Sequence, residues 1–545
     1  MKRTTPFLTA IALAGVPVAT STSHVSAATT QTCAAPTTGY GRMFPNLTGA
    51  TFSSAALTSL AAASVAPAET SPTPEGVLDA EENTDIPAGY TYFGQFVDHD
   101  LTADDRPNDL TTPTPVTSLV NLRTPQFDLD SVYGSGPTGS PQLYDADGMH
   151  MLTGARLTGS PDTGAVDLPR ATNGQALVGD ARNDENRMVA GIHSMFLRFH
   201  NLTVDEVRGA NPSWSPDRVF AEARRLVVAR YQGLVLHDFL PQIVGQRTMD
   251  AVLDRRAGHT RARLRHYTNC AQMPVEFSVA AYRYGHSQVR GLYRINASVD
   301  RLPVFSGTFG TPGTDLVGFS SSPSNFAIDW ARFFNGGKRT TGAAVQHSYK
   351  IDASLTNSLS LLPLPVSSAG PADLAKRNLL RSSQLSLPTG QDVARAMGIR
   401  PLPDDQILVG KATGDATDAV AITALSPEFT GRAPLWTYVL AESVANSYRV
   451  RDGRIVSGQL RPNRLGPVGG RIVAETMVGL LASDPSSILN TDSRPGRGDK
   501  IKALFDRVAD GSAVTVIVPP GRFNPGAGQA SLRPPRMNRA PTGSR

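Results

Sequence analysis

The sequence predicts a mainly α-helical protein built as one large domain with few short strands. Three observations predict it. Apolar residues recur at helical intervals in several long stretches, whereas strand-like alternation is rare, Val514–Val518 being the clearest run. The 545 residues, 40% hydrophobic and 18% charged, are enough for a large buried core and argue against wholesale disorder. No internal repeat is present. Lys and Arg exceed Asp and Glu by 52 − 47 = 5, too little for a dedicated nucleic-acid binder. Two cysteines, Cys33 and Cys270, exclude a disulfide-rich scaffold and any four-thiolate metal site.

The elements follow in chain order. Lys2 and Arg3, the apolar stretch Phe7–Thr20 and the small residues Val25–Ala28 have the layout of a secretory signal peptide over 1–27, cleaved near Ala27. The apolar stretch is too short to span a membrane, no later run is long enough, and the mature chain is expected to be secreted. Export permits a Cys33–Cys270 disulfide without establishing one. Residues 28–85, rich in Ala, Thr, Ser and Pro, read as a loosely ordered arm. The domain proper is expected over 86–518. Met188, Ile192, Met195, Phe196 and Phe199 have helical spacing within 182–208, and Asp217–Phe239 repeats the pattern. Trp436–Ser447 and Val473–Ala482 read as buried helices. The last 27 residues, 519–545, hold six Pro, five Arg and no acid, and read as a disordered basic tail.

Four motifs carry candidate chemistry. In Phe93–Asp100, a helix would put Gln95 and His99 on one face and turn Asp100 about 100° away, so one segment could serve two sites. The same Asp98-His99-Asp100 run also reads as a surface histidine between acids. In Thr124–Asp130, oxygen-bearing side chains recur at Thr124, Gln126, Asp128 and Asp130, which suits a hard cation but equally a solvated acidic turn. Arg182 and Glu185 stand at i, i+3, as pocket partners or as a surface pair. His286 follows Gly285 in an aromatic stretch and, alone, reads as a packed histidine.

In this order the motifs resemble the animal-type haem peroxidases, the family of myeloperoxidase and lactoperoxidase, from about Pro87 to Asn378 and more weakly to about residue 480. With the exported N-terminus, the resemblance is to a secreted, bacterial member. It implies a helical haem-peroxidase domain holding haem b and calcium. His99 then matches the distal histidine, Gln95 the distal glutamine and Arg182 the distal catalytic arginine. His286 matches the proximal iron ligand, Arg283 a haem-propionate partner, and Asn378 the asparagine that bonds the proximal imidazole. Asp98 and Glu185 match the carboxylates that can form ester bonds to haem methyls. Asp100, Thr124, Gln126 (by its carbonyl), Asp128 and Asp130 fall on the calcium loop, with Asp130 where the family often has Ser. Asn186 stands where the myeloperoxidase type has its sulfonium-forming Met, and the R-x-R-D-H-G run usual after the asparagine is missing.

The resemblance implies that hydrogen peroxide is reduced while a halide, pseudohalide or small organic donor is oxidised, with neither nucleic acid nor a membrane span involved. His99 would move the peroxide proton and Arg182 would stabilise the departing oxygen. Two alternatives stand beside it. Fatty-acid dioxygenases of the same superfamily carry a radical-forming Tyr three residues before the proximal histidine, where Arg283 stands here. The other is a haem-free exported adhesion protein that kept the helical shell.

Overall fold

The computed structural model describes residues 37–68, 80–106, 109–256, 259–268, 272–307, 313–335, 344–367, 370–491 and 500–511, all within one compact unit. The expected signal peptide, both cysteines, the Val514–Val518 run and the basic tail lie outside the described residues. So do 28–36 and 69–79 of the expected arm.

The rest of that arm is ordered, which corrects the reading of 28–85. Helix α1, Ser54–Ala63, starts at Ser53, whose hydroxyl accepts the Ala56 N–H at 3.1 Å. Its face of Leu57, Leu60 and Ala61 is buried against a later helix, Leu374–Gln384. Tyr40, Met43 and Phe44 also belong to the core, so the domain begins well before residue 86. Composition hid this because Ala is both the strongest helix former and too small to mark an amphipathic stripe.

Helix α2, Gly89–Leu101, is buried at every position except Gln95 and Asp98, so it lacks the one-sided stripe of a surface helix. Its first residue must be small: a Cβ on Gly89 would lie 2.5 Å from the Phe333 carbonyl oxygen. The helix expected over 182–208 splits in two. A 3₁₀ turn, Ala181–Asp184, is capped by Asp180, and α3, Arg187–Ala210, begins after extended Asn186, whose side chain accepts the Val189 N–H at 3.0 Å. Helix α4, Pro216–Leu234, packs along α3 and runs into a π-helical turn, Val235–Phe239. Then follow α5, Leu374–Gln384; α6, Leu435–Ser447; α7, Pro467–Ser483; and α8, Ile501–Ala509. The two buried helices expected near 436–447 and 473–482 are α6 and α7.

His286 ends an irregular segment: a π-helical turn, Glu276–Ala280, followed by a 3₁₀ turn, Ala281–His286. This segment rests on α5, α6 and α7. Strands are short and paired in twos among the described residues. Strand β1, Tyr40–Gly41, lies parallel to β3, Met273–Pro274, while β2, Glu82–Pro87, runs antiparallel to β4, His347–Tyr349. The β1–β3 pair, with Glu276 accepting the N–H groups of Met43 (2.9 Å) and Phe44 (3.2 Å), ties the N-terminal segment to the one that carries His286.

Because Leu60 is fully buried, Leu60→Ala is expected to lower unfolding stability by about 2–5 kcal/mol. Urea unfolding reads this directly; an unchanged midpoint would mean that α1 is dispensable.

A candidate active-site cavity

One cavity of about 350 Å³ collects side chains from distant parts of the chain. Helix α2 contributes Gln95, Asp98 and His99; the turn before α3 contributes Arg182 and Glu185; the segment after the π-helical turn contributes Arg283 and His286; and α5 contributes Asn378. Residues 99 and 286, far apart in sequence, therefore face the same space.

His99 is buried, and its Nδ1 lies 2.9 Å from the Asn183 amide oxygen. Burial, aided by the Arg182 charge, lowers its pKa to about 4 against the pull of Asp180 and Asp98, so the ring is neutral at pH 7. Arg182 is fixed from several sides: Nη2 donates to the carbonyls of Thr102 (2.6 Å) and His99 (3.2 Å) and to Asp180 (2.8 Å). Burial alone would raise the pKa of Asp180, but Arg182 holds it far below the usual range. Gln95 bridges, donating to Glu185 and accepting from Asn186 at 3.1 Å. Burial lifts Glu185 to about 7, opposed by Arg182 and Gln95. Asp98 accepts from the Thr102 hydroxyl at 3.1 Å.

On the other wall, the Asn378 amide nitrogen lies 2.9 Å from His286 Nδ1. The partnership exists although the run usual after that asparagine is missing, because α5 itself carries residue 378 to the ring. Burial, with Arg283 nearby, lowers the His286 pKa to about 3, which keeps the imidazole neutral. Arg283 is anchored by its Nε on the Ser278 carbonyl (2.8 Å), and its own carbonyl accepts from the Trp436 indole (3.4 Å). Arg377, one residue before Asn378, lines the same cavity, and burial together with the Arg283 charge lowers its pKa. Two guanidiniums thus converge on one space, a pairing that invites an anion.

Asp100 points elsewhere, as the helical rotation requires. It meets Asp128 and Asp130, with carboxylate oxygens all within 4.8 Å of one another. Leu129 N–H (3.2 Å) and Ser131 Oγ (3.3 Å) donate to Asp100, and Arg123 lies 3.5 Å from Asp130. Burial raises all three carboxyls; Asp128 and Asp130 add to Asp100, which is raised far, Asp130 adds to Asp128, which reaches about 7, and Asp180 adds to Asp130 against the pull of Arg123. Thr124 joins through its N–H, which donates to Asp130 (3.1 Å). Gln126 is engaged by its N–H on the Thr124 carbonyl (2.7 Å), and no contact among the described residues brings its carbonyl to the three acids.

Sequence reasoning missed four residues here. Asp180 stands two residues before Arg182, and an acid so close to an arginine was the available signal. Arg377 is adjacent to Asn378. Tyr40 enters the cavity from the segment read as loose. Asn183 carried no signal at all, since only folding brings it to His99.

Residues 105–411 match the family model described as animal haem peroxidase. Thyroid peroxidase of Homo sapiens is 30% identical over 244 residues, 39% of this chain and 25% of that protein. Peroxinectin A of Dictyostelium discoideum is 25% identical over 227 residues, 41% of this chain and 38% of that one. The chain thus spans about a quarter to two fifths of these relatives. Among solved structures, peroxidase A from Dictyostelium discoideum has a TM-score of 0.56 at 16% identity, covering 89% of this chain and 94% of that one. The fatty acid α-dioxygenase of Oryza sativa has 0.52 at 16%, covering 84% and 76%. At such identities these two show a shared fold alone.

The three acids generate a pH dependence. Their folded pKa values are raised, so the folded state favours protonated carboxyls. That stability is complete below the ordinary carboxyl value of about 4 and is lost as pH rises through about 7. In chelator, urea midpoints are expected to fall over this window, and to fall less steeply in Asp128→Asn; parallel curves for the two proteins would contradict the assignment.

Proposed function

The chain belongs to the animal haem peroxidase family, and on that premise we propose that it is a haem-dependent peroxidase, reducing hydrogen peroxide while oxidising a halide, a pseudohalide or a small organic donor. The observation that carries this is the single cavity faced by two neutral imidazoles, one buried beside a fixed guanidinium and one half-buried on the other wall. The donor set suits haem. His286 presents Nδ1 to the Asn378 amide; with the amide oxygen turned to it the ring hydrogen would sit on Nδ1 and Nε2 would be left to bind iron, and Arg283 and Arg377 offer two cations for two propionates.

Bound haem supplies an iron that gives up two electrons to peroxide and recovers them from a donor. The rest is done by side chains. His99 takes the proton from the inner peroxide oxygen on Nε2 and returns it to the outer one, for which a neutral ring is required. Arg182 stabilises charge on the departing oxygen without losing its own proton, and Asp180 keeps it in place. Gln95 orders the rim between Glu185 and Asn186. Asp98 and Glu185 line the cavity and would be the carboxylates available for ester attachment of the haem. Asn186 caps α3 where a sulfonium-forming methionine would otherwise stand.

Calcium belongs to the same reading. Three converging carboxylates with raised pKa values have the Arg123 cation on Asp130 alone, and a hard divalent ion would supply the further counter-charge, with Thr124 and Gln126 as additional oxygen donors. The ion would brace α2 directly behind His99. Export through the N-terminal segment is the location proposed.

The purified, haem-loaded protein is expected to show a Soret band that shifts on adding peroxide, and acid–solvent extraction reads whether the pigment is covalently held. His99→Ala is expected to slow the peroxide step by about 100-fold or more while the resting band persists, and His286→Ala to lose the band. Oxygen uptake with a polyunsaturated fatty acid in the absence of peroxide would favour the dioxygenase reading. A chain that takes up no haem would favour the adhesion reading.

A further inference from the structure

Asn183 stands behind the imidazole of His99 and is wholly buried. Its amide has three neighbours. Oδ1 lies 2.9 Å from His99 Nδ1, while Nδ2 lies 3.3 Å from the Ser131 carbonyl oxygen and 3.0 Å from His193 Nδ1. An amide can be turned end for end with little change in shape, so its neighbours decide its direction. His193 is also fully buried, and its Nε2 meets no hydrogen-bond partner among the described residues. It does not decide the direction, because a neutral imidazole can donate or accept at Nδ1. The Ser131 carbonyl can only accept. Turning the amide would set two acceptor oxygens against each other in a site without solvent. The amide nitrogen therefore faces Ser131, and the amide oxygen faces His99.

The consequence falls on the proton of His99. An acceptor at Nδ1 requires the ring hydrogen there and leaves the Nε2 lone pair free. The opposite amide direction would put a donor at Nδ1 and move the ring hydrogen to Nε2, where the imidazole could no longer take a proton. We propose that Asn183, held in one direction by the Ser131 carbonyl, is a positioning residue that sets the tautomer of His99 and so makes it a base. Ser131 is well placed to be rigid, since its hydroxyl donates to Asp100 at 3.3 Å. One residue thus connects the carboxylate cluster to the far side of His99.

The inference rests on the reading of His99 as the proton acceptor for peroxide, and its test separates the two. In full-length protein labelled with ¹⁵N-histidine, His99 is expected to carry its hydrogen on Nδ1; a hydrogen fixed on Nε2 in the wild-type protein overturns the proposal without recourse to any variant. Asn183→Leu removes the acceptor, and the hydrogen is expected to spread over both nitrogens. In haem-loaded Asn183→Leu the peroxide step, followed by rapid mixing, is expected to fall at least about tenfold, with the KM for the donor unchanged. Asn183→Asp keeps an acceptor oxygen toward Nδ1 but sets its other oxygen against the Ser131 carbonyl, so it is expected to hold the hydrogen on Nδ1 at a cost in folding stability. Wild-type rate and tautomer in Asn183→Leu overturn the proposal, as does a folded Asn183→Asp whose His99 hydrogen is not held on Nδ1. Wild-type protein that binds haem but ignores peroxide defeats the peroxidase reading, and leaves the tautomer measurement to judge Asn183 alone.

Discussion

The architecture depends on one buried helix with work on two sides. Helix α2 has eleven of its thirteen positions out of solvent, and the two that are not, Gln95 and Asp98, face the cavity. Consecutive residues on a helix differ by about 100°, so His99 and Asp100 serve separate places although they are neighbours in the chain. A shift in α2 would move the imidazole and the carboxylate together. Hence so many contacts hold it: Tyr282 donates to the Gly94 carbonyl (3.1 Å), Tyr90 to Asp238 (3.0 Å), and the Phe333 backbone closes on Gly89.

The second organising principle is the use of buried carboxylates as clamps on irregular backbone. Buried N–H groups outside helices and strands need acceptors. Glu276 takes two from the N-terminal segment, Glu475 takes those of Arg265, His266 and Tyr267, and Glu442 takes two at the start of α7. Asp238 receives Ile501 N–H and Lys500 Nζ, securing α8. A mainly helical protein with long connections can therefore keep the cavity walls fixed without large sheets.

The carboxylate cluster is the exception that gives this pattern meaning. Glu276 and Glu442 face backbone donors, whereas Asp100, Asp128 and Asp130 accept backbone N–H groups and also face one another. Charge left uncompensated inside a protein is costly, and the raised pKa values express that cost.

By itself the sequence determined the helical class, the positions of the main buried helices and the motif residues that line the cavity. Helical period, and residue types whose chemistry is local, survive in a linear string. Helix α1 was concealed by small residues that carry no stripe, and the split before α3 by an asparagine that caps rather than continues. The tertiary structure alone decided that Asn183 meets His99, that Arg377 joins Arg283, and that Tyr40 reaches the cavity. Each depends on segments far apart in the chain closing on the same space, 84 residues for Asn183 and His99, and nothing in either segment encodes the other. The direction of the Asn183 amide lies further still from the sequence, because a backbone carbonyl, which every residue has, sets it.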